Sequence, residues 1–460
     1  MMTDPLKTSS VEGDVNLSPN RAWWAAKHLS ERSRSILARD AEVFLHQSLS
    51  TPCLNVLTRA EGTTLVDLNG RTFLDFHGNS VHQVGFGNPD VIQAVKHQLE
   101  TLSFCPRRYT NLPAVELAER LAALAPGDLG KVLFAPGGAT AVGMALKLAR
   151  IATGRHKTIS MWNAFHGASL DAISVGGEAQ FRAGIGPLLP GTEHVPPAER
   201  YRCLWNRGAK CDACDLTCAR IVEYVLEHEG DVAAVIAEPV RCTTVDVPPE
   251  GYWSRVREAC DRHGALLIFD ETAVCLGRTG HMFASQAIGV TPDILVLGKG
   301  LGGGIFPLAA MIARKNLDVA EEMSLGHYTH EKNPVACAAA LATLDVIEKE
   351  NLLWRAVDRG RYALKKLSEI KDDHALIGDI RGFGLMLAVE LVRPDSMPAA
   401  SEADGVMYQC LARGLSFKVS QGNILTLTPP LTVTRAEIDR ALGIVHESLF
   451  AIEREYGFIS

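Results

Sequence analysis

Five short runs in the middle of the chain, "KVLFAPGG", "KTISMW", "DVAAVIAEPV", "GALLIFDE" and "DILVLGKG", are apolar at nearly every position. A strand of that kind must be covered on both faces, because no alternate residue is suited to water. The stretches between them, such as "PAVELAERLAAL" and "TAVGMALKLARIATG", repeat their apolar residues with helical spacing and can supply the cover. This pattern predicts an α/β domain over residues 91–333, with a parallel or mixed sheet between two helical layers.

At 460 residues, 47% of them hydrophobic, the chain exceeds the size at which a single core usually splits, so a second, smaller domain is expected. Residues 51–90 read as its first part, with short strands in "NVLTRAEGTTLVDLNGRTFLDFHG" broken at the hairpin signal Asn69-Gly70. Residues 334–460 read as its second part, carrying "IGDIRGFGLMLAVEL" and "GNILTLTPPLTV" as strands. Asn333 and Pro334 are suited to cap and start the helix that opens this part. Residues 1–50 form an extension in which "NRAWWAAKHLSERSRSILARDAEVFLHQ" has helical periodicity.

The net charge of −7 is spread along the chain without a basic block, which leaves no electrostatic footprint for nucleic acid. No segment approaches the roughly 20 uninterrupted apolar residues of a membrane span, and the N-terminus is polar, so a cytoplasmic protein is expected. Of the 11 cysteines, most lie singly in apolar runs and read as reduced, buried thiols. Cys203, Cys211, Cys214 and Cys218 cluster in "CLWNRGAKCDACDLTC". Their spacing, with a long first gap, suits a reduced insertion better than the paired knuckles of a zinc site.

In doubly covered sheets, ligands gather at the carboxyl ends of strands. Four of those ends carry reactive groups or glycines: Gly137-Gly138, Glu238, Asp270 and Lys299. Each has an ordinary reading of its own, as turn, cap or surface cation. Lys299 is the sharpest case, since a long cation at the end of an apolar run either reaches back to water or is held as a nucleophilic amine. Together, an imine-forming lysine, an aspartate able to keep a pyridine nitrogen protonated and a glycine-lined helix start describe a pyridoxal 5'-phosphate site.

The combination of "DE" at 270, "LGKGLGGG" at 297 and "THEKNPVACAAALA" at 329 resembles the class III aminotransferases of the fold-type I pyridoxal phosphate enzymes, over nearly the whole chain from about residue 50. The resemblance implies a seven-stranded, mostly parallel sheet with a smaller α+β domain. It implies that Gly138, Ala139 and Thr140 hold the cofactor phosphate, that Phe165 covers the ring with His166 beside it, and that Asp270 pairs with the ring nitrogen. Lys299 would form the imine and then transfer protons; Glu238 would face the substrate side. Thr329 matches the threonine that reaches the neighbouring subunit's phosphate, implying a homodimer with shared sites, alone or within a tetramer. No metal is implied in the site.

Some positions depart from the family pattern. Thr426 stands where amino-acid transaminases carry a carboxylate-binding arginine, and "DETA" replaces "DEVQ", putting Thr272 under the ring and Ala273 in place of a glutamine. A hydroxyl cannot replace a bidentate guanidinium. Asn79 falls at a commonly apolar pocket position, and Arg107 and Arg108 precede Tyr109 near the implied dimer seam. Adjacent arginines suit a dianion such as a phosphonate, or are simply solvated surface charge. The chain is similar to a class III subgroup of ammonia-lyases acting on amino-hydroxy-phosphonates such as (R)-1-hydroxy-2-aminoethylphosphonate. Elimination from such a small amine is the expected activity. The alternatives are a class III transaminase for an amine or ω-amino acid, and a cofactor-binding protein without catalysis.

Overall fold

A computed structural model of the protein describes residues 17–47, 50–205 and 214–458. The chain divides into two compact units. The smaller comprises Met1–Asn88, Thr243–Val245 and Trp354–Ser460, and the larger Pro89–Cys242 and Asp246–Leu353.

In the smaller unit, Leu57–Glu61 (β1), Thr64–Asp67 (β2) and Thr72–Asp75 (β3) form an antiparallel meander. The expected break at Asn69-Gly70 is the β2–β3 turn: Gly70 takes φ +79°, and the Asp67 carboxylate accepts the backbone N–H groups of Asn69 and Arg71. The N-terminal periodic stretch is two helices, Pro19–His28 and Glu31–Val43. The break comes from Ser30, whose hydroxyl accepts the Ser33 N–H at 3.1 Å and starts the second helix anew.

The larger unit holds seven strands: Leu129–Ala135 (β4), Lys157–Met161 (β5), Thr192–Val195 (β6), Val232–Ala237 (β7), Leu266–Asp270 (β8), Ile294–Leu297 (β9) and Ala309–Arg314 (β10). They lie in the order β4-β10-β9-β8-β7-β5-β6. β10 runs antiparallel to both β4 and β9, and every other neighbouring pair is parallel. Since β4 and β9 both oppose β10, they run the same way, and six carboxyl ends share one edge. Every residue of β7 and β9 is buried, as their unbroken apolar runs require. The helix Gly138–Thr153 packs on the sheet over β7, β9 and β10 and ends at Gly154, whose φ of +67° suits a glycine cap.

The second domain boundary differs from the expected 333/334 and falls after Leu353. Asn333 and Pro334 do start a helix, Pro334–Lys349, with the Asn333 side chain accepting the Ala336 N–H at 2.9 Å. That helix is apolar around most of its circumference and packs on Pro89–Thr101 and Leu112–Leu124, so it belongs to the larger core.

The smaller unit resumes with Ile377–Phe383 (β11), Met386–Leu391 (β12), Leu415–Ser416 (β13), Lys418–Ser420 (β14) and Ile424–Leu427 (β15). β13 pairs with β3, and the others form the sheet β11-β12-β15-β14. Among the described residues, no helix is long and apolar enough to cross a membrane.

Candidate active site

Topology alone brings Gly137-Gly138, Glu238 and Lys299, which follow β4, β7 and β9, and Asp270, which ends β8, to one edge of the seven-stranded sheet. The side chains then fix the details. Asp270 is 3% exposed. One carboxylate oxygen meets His166 Nδ1 at 2.9 Å, and the other accepts the Thr272 N–H at 3.1 Å and the Thr272 hydroxyl at 2.7 Å. Burial works against its charge, but the bonds from His166 and Thr272 outweigh it and hold the carboxyl below its usual range. Asp270 is therefore a stable buried anion.

Thr272 joins three segments. Its hydroxyl holds Asp270, and its methyl lies where a Cβ on either Gly138 or Gly298 would approach it to 3.2 Å. The start of the helix Gly138–Thr153 and the strand end carrying Lys299 thus close on the same side chain. Gly167 makes another junction: at φ +125°, a Cβ there would stand 2.5 Å from the Ala139 Cβ. Only glycine lets the Phe165–His166 loop approach the helix start this closely. Thr140 turns its hydroxyl back to the Gly137 carbonyl at 2.6 Å, leaving the first helical N–H groups as the polar surface of that terminus.

Glu238 accepts the Phe165 N–H at 3.3 Å. Burial pushes its carboxyl up, against the opposing pull of Arg241 and His166. Ala273 is buried beside Thr272, and Glu271 is fully buried, capping the N-terminus of the helix Ala284–Ile288 through the backbone N–H groups of Ala284 and Ser285. Sequence reasoning passed over Glu271, although a second acid directly after a buried strand was the available signal.

Lys299 takes φ +47°, a left-handed conformation uncommon for a residue with a Cβ. Its neighbours Gly298 and Gly300 are buried while Lys299 is exposed. Its side chain therefore meets water in this structure, as a long cation ending an apolar run can.

The other expected residues lie each within its own unit. Arg107, Arg108, Tyr109 and Thr329 are exposed on the larger unit, with Arg107 Nε 3.8 Å from Glu331. Asn79 is exposed in the smaller unit, at φ +46° in the tight turn Gly78–Ser80. Thr426, also in that unit, is 3% exposed, and its hydroxyl donates to the Thr243 carbonyl at 2.6 Å. Cys211 lies outside the described residues. Burial, with Cys214 and Cys203 nearby, pushes the Cys218 thiol up to about 11. No group of three or more metal-ligating side chains occurs among the described residues.

The set at the sheet edge fits pyridoxal phosphate. Asp270 is an ionised partner for a pyridine nitrogen, the helix start is suited to a phosphate, and Lys299 supplies an amine. His166 Nε2 is buried without a hydrogen-bond partner, a polar atom that a bound group would serve.

The family profile described as Aminotransferase class-III matches residues 46–449. The (R)-1-hydroxy-2-aminoethylphosphonate ammonia-lyase of Vibrio splendidus is 48% identical, covering 97% of this chain and 96% of that protein. A leucine/methionine racemase of Thermococcus litoralis is 35% identical over 92% of this chain and 96% of its own length. The crystal structure of an amine transaminase from an uncultivated Pseudomonas species, in its PLP-bound form, matches with a TM-score of 0.84 at 34% identity, covering 89% of this chain and 99% of that one. By its edge of strand-end residues and by these matches, the chain belongs to the class III aminotransferase family.

Proposed function

We propose that this protein is a pyridoxal phosphate-dependent ammonia-lyase that converts an amino-hydroxy-phosphonate, such as (R)-1-hydroxy-2-aminoethylphosphonate, to phosphonoacetaldehyde and ammonia. The observation that carries this reading is the 48% identity, over nearly the full length of both chains, to the Vibrio splendidus lyase. Thr426 supports it: a buried hydroxyl engaged by the Thr243 carbonyl offers no positive partner to an amino-acid carboxylate.

Pyridoxal phosphate, when bound, supplies an aldehyde that captures the substrate amine and a ring that accepts electrons from the adjacent carbon. The chain does the rest. Gly138, Ala139 and Thr140 would hold the phosphate at the helix start, and Phe165 would cover the ring. Asp270, kept ionised by His166 and Thr272, holds a proton on the ring nitrogen. Lys299 Nζ takes a proton from the carbon bearing nitrogen and returns it to the hydroxyl leaving the neighbouring carbon, so that water departs. The enamine left behind takes up one water and yields the aldehyde and ammonia, which balances the reaction without any keto acid.

The second reading, a class III transaminase, is favoured by the match to the solved amine transaminase. Ammonia release separates the two. Cofactor-loaded enzyme given the amino-hydroxy-phosphonate alone should release ammonia and phosphonoacetaldehyde in equal amounts over many turnovers. Carbonyl product that appears only once per site without ammonia, or turnover that requires a keto acid, would favour transamination. Glutamate should leave the enzyme's absorbance unchanged and yield no 2-oxoglutarate.

Self-association belongs to the same reading. Leu99, Leu102, Phe104, Tyr109 and Leu112 are large apolar side chains exposed along one segment of the larger unit, with Arg107, Arg108 and Thr329 also exposed on that unit. A cytoplasmic homodimer in which these residues meet the partner's site accounts for that surface.

A further inference from the structure

Beyond Glu238, the larger unit has a recess bordered by Trp162, Pro197, Glu199, Glu238, Arg241 and Asp246. Arg241 is 8% exposed, yet its Nε, Nη1 and Nη2 are all buried without a hydrogen-bond partner. A guanidinium carries five N–H groups in a planar fork, and burying them unmet is among the least favourable arrangements a side chain can adopt. The backbone gives it no easy escape: the Arg241 N–H donates to the Asp246 carbonyl at 3.1 Å, and the Asp246 N–H donates back at 3.3 Å. This two-way bridge closes a loop and fixes the side chain's origin at the carboxyl end of β7.

The recess borders the catalytic edge. Glu238, which lines it, binds the backbone of Phe165, and the next residue, His166, holds Asp270. Burial pushes the Glu238 carboxyl up from its usual range, which weakens the opposition an anion beside the guanidinium would meet from it. Three carboxyl groups line the recess, and a ligand there must match the fork closely enough to outweigh them. A tetrahedral oxyanion does so, by accepting parallel N–H bonds from the guanidinium.

We propose that Arg241, with Glu238, forms a binding site for a tetrahedral oxyanion, either the phosphonate end of the substrate or free inorganic phosphate. The first source rests on the lyase reading; the second does not. Arg107 and Arg108 differ from Arg241 in being exposed, where water can serve their N–H groups.

The test uses cofactor-loaded wild-type enzyme with its Arg241→Gln and Arg241→Lys variants, each checked for an unchanged melting curve and cofactor absorbance. Inorganic phosphate is titrated calorimetrically, and ammonia release is followed against amino-hydroxy-phosphonate concentration with and without phosphate. Arg241→Gln should weaken phosphate binding about tenfold or more, with Arg241→Lys in between because it keeps the charge and loses the fork. If the occupant is the substrate's phosphonate, phosphate competes with substrate, and Arg241→Gln raises KM roughly ten- to a hundredfold with a smaller change in kcat. If it is free phosphate, binding does not compete and KM is unchanged. Equal phosphate affinity and equal KM in wild type and Arg241→Gln would overturn the site. A wild-type enzyme that releases no ammonia from the phosphonate would overturn the lyase reading alone, because the phosphate titration still reads Arg241.

Discussion

The two edges of the seven-stranded sheet are built from similar residue types and treat them oppositely. At the amino edge, Asp293 precedes β9 and has both carboxylate oxygens engaged: Arg314 Nε donates at 2.8 Å, Arg257 Nη1 at 2.6 Å and the Leu267 N–H at 2.7 Å. One acid there ties β8, β9, β10 and the helix Tyr252–His263 together. At the carboxyl edge, Asp270 is as well bonded, but its neighbours are not. His166 Nε2 and all three side-chain nitrogens of Arg241 are buried without partners, and Lys299 sits in a left-handed turn. Arg257 Nε at the amino edge is also buried without a partner, but both carboxylate oxygens of its acid are bonded. At the carboxyl edge a whole guanidinium and an imidazole nitrogen go unmet beside a left-handed turn, on the edge where such sheets bind ligands.

Substitutions at the two edges should separate accordingly. Lys299→Ala should lower ammonia release by roughly a thousandfold or more, with the melting temperature of the cofactor-free protein unchanged. Asp270→Asn should cost about a hundredfold or more in kcat, since an amide cannot stabilise a protonated ring nitrogen; near-normal turnover would remove Asp270 from the chemistry. Asp293→Asn at the opposite edge should lose about 2 to 4 kcal/mol of stability in denaturant unfolding while kcat stays within about twofold at temperatures where the protein is folded. A large loss of kcat there would mean that the edges are not independent.

The smallest expected effect concerns Glu271, whose carboxyl burial pushes up to about 7 despite its bonds to Ser285 and Ala284. A carboxyl raised in the folded state contributes stability that is fully present below its unfolded value near 4.5 and is lost as pH rises through 7. Wild type should therefore lose on the order of 2 to 3 kcal/mol from this group between pH 5 and 8. Glu271→Gln, neutral throughout, should give a flatter profile of melting temperature against pH. Parallel profiles would show that Glu271 does not titrate there.

The sheet was legible because buried parallel strands must be apolar at every position, a constraint visible in "DVAAVIAEPV" and "DILVLGKG" alone. The gathering of Asp270, Glu238 and Lys299 followed from the strand-end rule and the family resemblance. Other features depend on tertiary packing that a linear pattern does not encode. The helix Pro334–Lys349 reads as the start of a new domain, and only its packing partners assign it to the larger core. The dual role of Thr272, hydroxyl toward Asp270 and methyl toward two glycines, requires three segments that are distant in sequence. Arg241 was visible as a cation after "EPV", but its lack of partners belongs to the folded loop.

If the carboxyl edge holds pyridoxal phosphate, the proposed attachment is Lys299. Borohydride reduction of the cofactor-loaded protein, followed by proteolysis and mass spectrometry, tests it directly. One fixed cofactor per chain is expected, on the peptide containing Lys299, and none at that position in Lys299→Ala. A label on a different lysine, or no fixed cofactor after saturation with pyridoxal phosphate, would contradict it.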